Sequence, residues 1–427
     1  MLRRKTVAVA VAAALTTLTL AACGSSGGSS DKSGGDKGGK SNGGSVTLKM
    51  IAADYGTGPA NTSQKYWDGI ASDFHAANPS ITVKVQAVNW NDFDNQVQTA
   101  VQNHQQPDIT EGDYFADFAQ QGLYYKTSDV FSDPSNLVQV FANLGSYQGT
   151  QYGIPFTTSS RTLFYNKKLF QDAGITSAPQ TWDDVKADAL KIKAKGKVGF
   201  GLPLGSEEAQ AETLLWMLGN GGNYQDKSGG WTIDSDQNVQ TLQFMKDLVK
   251  SGATEPNPGT KNRTDLWKQF AQGDIGMING SPALIPIIQQ GKVLTDSDWT
   301  SVPIPGKTGP LSSTLGVCDF VAAFKNGGSG KQDAIKKFLD FAYADKYQLQ
   351  FDKEYDLLPA TNSAIQALTS DPIFAPFLKA LPNAVQYPAS PAWAAVKTQL
   401  QQTIGTAMTG DPKSVLSRLQ QTAKKSS

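Results

Sequence analysis

The chain has 427 residues, of which 38 are basic and 38 acidic, so its formal net charge is zero. A balanced charge of this kind gives no reason to expect nucleic acid as a partner. Two histidines and two cysteines are too few for a histidine-rich metal centre or a disulfide framework, so no metal or cofactor is expected.

The N-terminus resembles a secretory signal peptide. Arg3, Arg4 and Lys5 form a basic start, and a mostly apolar run follows at 7–20. This run is shorter than the roughly 20 residues that span a bilayer, which favours a cleaved signal at 1–22 over a retained helix. Its removal would leave 35 basic and 38 acidic residues. The paired arginines leave both the general and the twin-arginine export routes open.

A cysteine follows this segment directly. The sequence Leu-Ala-Ala-Cys, which ends at Cys23, resembles the lipobox of bacterial lipoproteins, in which the cysteine thiol is acylated. Multiple acyl chains on Cys23 would hold the protein on the outer face of the bacterial cell membrane. Residues 23–45 contain no large apolar side chain, so we expect a lipidated flexible tether. The alternative is an ordinary signal peptide with a chance cysteine.

From Val46 onwards the hydrophobic pattern alternates between strand and helix periods. Val46, Leu48 and Met50 predict the first strand, and helical spacing begins at Tyr66. Further strands are predicted to open at 107–109 and to cover 81–87, 162–166 and 275–278. Helices are predicted from the N-cap Thr181 and over 92–103, 207–219, 236–251, 262–272, 331–343, 345–353, 373–380 and 391–409. This alternation predicts an α/β fold with helices on both faces of a mostly parallel sheet, and the length implies two lobes.

Metal and haem motifs are absent from the sequence. It contains no His-Glu-x-x-His, no paired-cysteine zinc motif and no cytochrome attachment motif. His75 and His104 lie on predicted amphipathic helices, where a surface or half-buried role is expected. With only these two histidines, a Ser-His-Asp triad is not expected either.

Seven segments of the chain follow one another in a distinctive order. They are Val46–Tyr55, Asn78–Asp92, Gln106–Tyr114, Tyr152–Leu169, Ala178–Val185, Phe270–Pro282 and Asp356–Thr361. Together they resemble the family-1 extracellular solute-binding proteins of ABC importers, the group that includes the maltodextrin-binding proteins. The resemblance spans nearly all of residues 46–425.

This resemblance implies a two-lobed periplasmic-binding-protein-like fold of type II. Each lobe would be a mostly parallel sheet flanked by helices, and the lobes would close over a ligand by a hinge motion. Lobe 1 would comprise 46–160 and 312–358, and lobe 2 would comprise 161–311 and 359–427. The chain would cross between the lobes near 158–165, 303–315 and 357–362.

Polar and aromatic residues after the predicted strands are candidates for the cleft of lobe 1. Ligands of open α/β sheets bind at the carboxyl ends of the strands, and sugars need aromatic rings for their faces and carboxylates for their hydroxyls. Asp54 has an alternative role in a turn, Asp92 as a helix cap, and Trp90 in the core. The candidates after strands are Asp54, Tyr55, Trp90, Asp92, Asp113 and Tyr114. Asp319, after Gly316-Val317-Cys318, is expected to face the cleft from the same lobe.

Lobe 2 is expected to supply the opposite wall. Arg161 lies at a predicted crossing, where it would either bridge the lobes or bind ligand hydroxyls. Glu207 and Glu208 open a predicted helix, a position that also suits acidic residues for dipole reasons alone. A strand ends at 279–281, where small residues allow a ligand close to the backbone. The candidates are Arg161, Glu207, Glu208, Asn279, Gly280 and Ser281.

The resemblance implies a binding protein without catalysis. It would act as a monomer, capture a mono- or oligosaccharide and deliver it to the permease subunits of an ABC importer. Pro282-Ala283 stands where maltodextrin binders carry a tryptophan, so the sugar stays open. The alternatives are another solute, such as a polyamine, a peptide or an anion, and a secreted glycoside hydrolase. Asp113 and Glu208 would be the carboxylate pair of such a hydrolase.

Overall fold

The computed structural model describes residues 45–56, 58–328, 330–388 and 390–426, except for the side chain of Asn91. The predicted signal peptide, Cys23 and nearly all of the predicted tether lie outside these residues. Within them, no helix is both long enough and apolar enough to cross a membrane.

Strands and helices alternate along most of the chain, as an α/β fold requires. The strands are β1 (Val46–Asp54), β2 (Ile81–Asn89), β3 (Ile109–Gly112), β4 (Ser146–Tyr147), β5 (Thr150–Gln151), β6 (Gly153–Ser160), β7 (Thr162–Asn166), β8 (Val198–Gly201), β9 (Ile275–Gly280), β10 (Trp299–Val302), β11 (Gly316–Ala323) and β12 (Leu358–Pro359).

The helices lie between these strands and beyond the last of them. They are α1 (Ser63–Ala77), α2 (Trp90–Gln102), α3 (Ala116–Gln120), α4 (Thr127–Val130), α5 (Gln139–Ala142), α6 (Lys167–Asp172), α7 (Trp182–Lys193), α8 (Ala209–Leu218), α9 (Asp236–Ser251), α10 (Arg263–Ala271), α11 (Leu284–Gly291), α12 (Lys331–Ala342), α13 (Asp345–Tyr355), α14 (Asn362–Leu368), α15 (Ala375–Ala380), α16 (Trp393–Thr403) and α17 (Pro412–Ser426).

Local sequence explains where several helices begin and end. The hydroxyl of Thr181 accepts a hydrogen bond from the backbone N–H of Asp184, and the Asp184 carboxylate accepts one from the backbone N–H of Thr181. This capping box satisfies two otherwise unpaired donors at the start of α7 and confirms the predicted N-cap. The predicted helix at 236–251 is also confirmed, and Gly252 ends it in the left-handed conformation with φ of 71°.

Ten strands form two sheets. The larger sheet has the order β12-β6-β11-β3-β1-β2, and the smaller one has the order β10-β7-β9-β8. Parallel pairing is limited to β1 with β2, β1 with β3, and β8 with β9. The other pairs in both sheets are antiparallel, although the sequence predicted mostly parallel sheets. The chain returns from the smaller sheet and enters the larger sheet on the side at which β1 and β3 end. For this reason β11 runs antiparallel to β3.

The chain also passes between the two sheets on this side of the larger sheet, at the ends of its strands. Arg161 joins β6 of the larger sheet to β7 of the smaller one, and residues 303–315 join β10 to β11. A third passage follows β12, after which the chain ends in α16 and α17. We call the part around the larger sheet the first lobe and the part around the smaller sheet the second lobe. The residue boundaries predicted for the lobes stay a prediction.

Each lobe has its own hydrophobic core. In the first, Trp67 and Phe74 of α1 and Phe338 of α12 pack on the larger sheet. In the second, residues of α7, α8 and α9 pack together with Val396 and Leu400 of α16. Fully burying one such side chain contributes roughly 1.5–3 kcal/mol to the free energy of folding. These clusters therefore keep each lobe rigid next to the segments where the chain crosses between the lobes. Gly44–Ser427 cluster into a single unit.

Candidate ligand-binding cleft

The hydroxyl of Tyr55, which directly follows β1, meets two carboxyl groups from separate strands of the first lobe. It lies 2.7 Å from Oε1 of Glu111 on β3 and 2.9 Å from Oδ2 of Asp319 on β11. One hydroxyl has one hydrogen, so both contacts are hydrogen bonds only if one carboxyl group holds a proton. Burial raises the pKa of Glu111 well above its usual range, which favours the proton there.

Backbone geometry directs the acidic side chains of this wall. The pairing of β11 with β6 shifts register between Asp319 and Phe320, and such a bulge turns a side chain away from the regular alternation. Gly112, which precedes Asp113, has φ of 146°, and a Cβ there would lie 2.6 Å from the ring of Phe93. Only glycine fits this position, so the chain turns sharply just before Asp113.

Asp113 lies in a cluster of carboxylates beside one lysine. Its Oδ2 is 3.7 Å from the ammonium of Lys397, which belongs to α16 of the second lobe. Burial, and then the negative charge of Asp113, raises the pKa of Asp94 to about 7. The same two causes raise the pKa of Asp319 to about 7. Lys397 has a raised pKa because of Asp113 first, and then Asp94, Glu208 and Asp319.

Arginine–glutamate pairs form the wall of the second lobe. Nη2 of Arg161 donates to both carboxylate oxygens of Glu208, at 2.9 and 3.1 Å. Arg263 donates to Glu208 and, at 2.9 Å, to Glu207, and its guanidinium lies 4.6 Å from the ring centre of Trp267. Burial alone would raise the pKa of Glu208, but Arg161 and Arg263 outweigh it and lower that pKa. This carboxylate is therefore ionised.

A buried glutamate lies behind these pairs. Glu212 Oε1 accepts hydrogen bonds from Trp216 Nε1 at 2.7 Å and from Asn279 Nδ2 at 2.9 Å. Burial raises the pKa of Glu212 to about 8, so it is mostly neutral at pH 7. Glu212, Arg161 and Arg263 are among the residues that line a cavity of about 10 Å³, which is roughly room for one water molecule.

Aromatic side chains flank the charged groups. The rings of Tyr387 and Trp393 stack at 5.3 Å with 22° between their planes, and Trp393 also packs against Tyr224. The buried hydroxyl of Tyr114 has no hydrogen-bond partner among the described residues. A buried hydroxyl without a partner is costly, so this group is a candidate for contact with a bound molecule.

The sequence of this chain matches a known protein family. Residues 58–349 match the family of bacterial extracellular solute-binding proteins. The chain belongs to this family. Its relatives include the diacetylchitobiose binding protein DasA of Streptomyces coelicolor, which is 26% identical over 421 residues that cover 93% of this chain and 91% of the relative.

Solved structures confirm the two-lobed periplasmic-binding-protein-like fold. The GacH receptor of Streptomyces glaucescens, solved unliganded and with acarbose, superposes with a TM-score of 0.78 at 22% identity, over 89% of this chain and 98% of that one. The maltose-bound MalE3 of T. maritima gives a TM-score of 0.76 at 21% identity, over 89% of this chain and 100% of that one. At these identities the likeness concerns the fold.

Several predicted residues of this solute-binding protein meet in the cluster just described. Tyr55, Asp113 and Asp319 lie on the first lobe, and Arg161, Glu207 and Glu208 on the second. Tyr114 packs beside them against Phe320 at 5.7 Å between ring centres. Their roles in binding stay a prediction.

Other predicted residues have structural contacts. Oδ1 of Asp54 accepts hydrogen bonds from the backbone N–H groups of Gly56 and Ser63, which is the turn role considered for it. Trp90 packs edge-on against the Tyr55 ring at 5.3 Å. Asp92 is exposed in the first turn of α2, whereas Asp94, two residues later, lies in the carboxylate cluster.

The strand end at 279–281 is enclosed rather than open. The side chain of Asn279 binds Glu212, and a Cβ on Gly280 would lie 2.8 Å from the ring of Phe164. Ser281 is buried. Packing against Phe164 therefore explains why position 280 is a glycine. The predicted close approach of a ligand to Gly280 stays a prediction.

Sequence reasoning missed Asp94, Glu111, Glu212, Arg263 and Lys397. Glu111 left a signal, since a charged residue inside a buried strand is uncommon unless it is paired or protonated. Lys397 left none, because it lies on an ordinary amphipathic helix and its partners come from remote parts of the chain.

Proposed function

We propose that this solute-binding protein captures a mono- or oligosaccharide in the cleft and delivers it to the permease of an ABC importer. The observation that carries the proposal is the group of carboxylates on the first lobe, Asp94, Asp113 and Asp319, which faces Lys397 of α16, one helical turn after the Trp393 that stacks on Tyr387. Carboxylates accept hydrogen bonds from sugar hydroxyls, and stacked rings cover the apolar faces of a sugar.

Similar proteins support the carbohydrate class. The Streptomyces coelicolor relative is a diacetylchitobiose binding protein, and the two structures similar in fold were solved with acarbose and with maltose. The choice among such sugars is part of the experiment below.

An anion is the less favoured ligand, because the cations of the cleft are already paired. Arg161 and Arg263 both bind Glu208, and Lys397 lies beside Asp113. An anion would have to displace a carboxylate from one of these pairs, which costs its hydrogen bonds. A polyamine is a second candidate, since the carboxylates Asp94, Asp113 and Asp319 outnumber the single lysine beside them.

A thermal-unfolding series tests the ligand class. The thermal unfolding midpoint of a protein comprising residues 44–427 is measured in the presence of neutral mono- and oligosaccharides, polyamines, peptides and phosphate esters, one at a time. A ligand at 100 times its dissociation constant stabilises the folded state by about 2.7 kcal/mol, which raises the unfolding midpoint. We expect the shift with a neutral sugar. A shift with another class alone would overturn the carbohydrate proposal.

A matched pair of variants locates the site. Asp113→Asn should weaken sugar binding about 10- to 100-fold, because a hydrogen bond to a charged group contributes roughly 1.5–3 kcal/mol. Asp296→Asn changes an exposed aspartate and should leave the dissociation constant unchanged. Equal affinities of the two variants in calorimetric titration would remove Asp113 from the site.

We propose in addition that Cys23 is acylated after cleavage of residues 1–22 and that the lipid anchors the protein to the outer face of the cell membrane. Cys23→Ser should release the protein from the membrane fraction into the medium, and mass spectrometry of the parent should show acyl chains on the N-terminal peptide. Retention of the Cys23→Ser variant in the membrane fraction would contradict the anchor.

The protein binds without catalysis in this proposal and acts as a monomer. Incubation with oligosaccharides should release no new reducing ends, whereas a hydrolase would produce them. Light scattering after size-exclusion chromatography should give the mass of one chain both with and without ligand.

A further inference from the structure

One ion pair joins the two lobes across the cleft. The ammonium of Lys397 on α16 lies 3.7 Å from Oδ2 of Asp113, which follows β3 in the first lobe. Both side chains are about one-third exposed, at 34% and 38%. The pair therefore lies at the cleft surface, where the contact can break and form without disrupting either core.

Lys397 is held on a rigid support. Its helical neighbours Val396 and Leu400 are fully buried in the second-lobe core. Trp393, one helical turn earlier on α16, packs against Tyr387 and Tyr224. The ammonium thus moves with the second lobe as a whole.

Asp113 is one of several carboxylates that face this ammonium. Asp94 of α2 and Asp319 of β11 act on Lys397 from the first lobe, and Glu208, before α8, acts from the second. Glu208 already binds Arg161 and Arg263. Asp94, Asp113 and Asp319 have no comparable arginine among the contacts that the structure describes, so Lys397 is their counter-ion.

We propose that Lys397 is an interlobe latch, a lysine of the second lobe that neutralises the carboxylates of the first and holds the cleft closed when no ligand is bound. A ligand that donates hydrogen bonds to Asp113 competes with this ammonium. The latch therefore sets both the population of the closed form without ligand and the apparent affinity for the ligand.

The size of the effect follows from the exposure of the pair. Partly exposed ion pairs shift an equilibrium by about 1.4- to fivefold. The additional carboxylates around Lys397 place the expected effect at the upper end of this range. A change of this size is measurable as a change in the ratio of the two forms, because the minor form of a two-state protein is populated at about 0.1–10%.

Distances between two spin labels, measured by pulsed electron–electron double resonance, test the latch without any ligand. Spin labels are attached to cysteines introduced at the exposed positions Asn103, after α2, and Lys250, on α9, in residues 44–427 carrying Cys318→Ser. This part of the chain has its own core and clusters as one unit. The ratio of the short to the long distance population reports the closed fraction.

Lys397→Met and Asp113→Asn should each lower the ratio of closed to open forms about two- to fivefold, and the double variant should lower it no further than one single change. Lys397→Arg keeps the charge and should keep the parent ratio. Lys379→Met alters an exposed lysine of α15 and serves as the matched control.

The double variant Asp113→Lys with Lys397→Asp exchanges the two charges and is an independent test. It should restore part of the closed fraction that Asp113→Lys alone or Lys397→Asp alone loses. Equal ratios for Lys397→Met, Lys379→Met and the parent would refute the latch, as would fully additive effects of Lys397→Met and Asp113→Asn. The latch serves the proposed sugar capture, yet no ligand enters its measurement, so failure of one does not imply failure of the other.

Discussion

Removal of a single hydroxyl from Tyr55 tests the electrostatics of the first-lobe wall. Tyr55→Phe keeps the ring packed against Phe351 at 5.0 Å but removes the contacts to Glu111 and Asp319. A neutral hydrogen bond contributes about 1 kcal/mol to stability, and one to a charged group about 1.5–3 kcal/mol. The cost of the substitution therefore depends on whether Asp319 is ionised.

The pH dependence has a definite sign. The pKa of Asp319 is raised to about 7 in the folded protein, against roughly 3.9 in an unfolded chain. Between these values the folded state binds the extra proton, so the free energy of unfolding falls as pH rises through this window. Because the bond from Tyr55 lowers this pKa, its loss extends the window above pH 7. Tyr55→Phe should cost about 1 kcal/mol at pH 5 and about 2–3 kcal/mol at pH 8.

Urea unfolding of residues 44–427 at pH 5 and pH 8 measures both costs. Tyr347→Phe is the matched control, since Tyr347 donates to Oδ2 of the exposed Asp73 at 2.9 Å. It should cost less than about 1 kcal/mol at either pH, because solvent replaces the lost bond. A cost for Tyr55→Phe that is equal at the two pH values, or smaller at pH 8, would refute this account of the wall.

Three further changes test the second lobe by the same urea unfolding. Gly280→Ala should cost about 1–3 kcal/mol because its Cβ would meet Phe164 at 2.8 Å, whereas Gly69→Ala, with open space around it, should be neutral or stabilising; equal effects would contradict the packing explanation. Glu212→Gln should be as stable as the parent at pH 7 or more so, because the folded parent must hold a proton that the unfolded chain releases above about pH 4.3, and it should lose less stability than the parent as pH rises towards 8; a large loss at pH 7 would mean that the carboxylate is ionised. Thr181→Ala should cost about 1 kcal/mol through the lost cap of α7, and no loss would mean that the cap is dispensable.

The raised pKa values on the first lobe and the paired arginines on the second give the two walls different properties. Asp94 and Asp319 titrate near neutral pH, so they can accept or donate a hydrogen bond as a ligand requires. Glu208 stays ionised between Arg161 and Arg263. In the proposed site, the first wall would thus adapt to a ligand, whereas the second holds a fixed charge arrangement.

Local features of the sequence were sufficient for much of the fold. The apolar spacing at 236–251 predicted α9 with both ends, and Thr181 predicted the start of α7. The alternation at Val46 predicted β1. These features depend on side chains within a few residues of one another, which is why the sequence displays them.

Strand direction could not be read in the same way. The spacing of strands and helices predicted mostly parallel sheets, yet β11 and β6 pair antiparallel with their neighbours. The direction of a strand depends on the end of the sheet from which the chain enters, and this end depends on where the preceding segment leaves the other lobe. That relation is set by the path of the whole chain rather than by local periodicity.

By itself, the sequence determined the α/β class and many element boundaries, and it predicted a set of polar residues, including Tyr55, Asp113 and Asp319, whose binding roles stay a prediction. Only the tertiary structure decided that Asp54 completes a turn, that Asp94 rather than Asp92 lies among the carboxylates, and that Lys397 faces Asp113. The physical reason is range. Helix and strand formation depends on neighbours along the chain, whereas the charge partners that tune a binding cleft are brought together only when distant segments fold against each other.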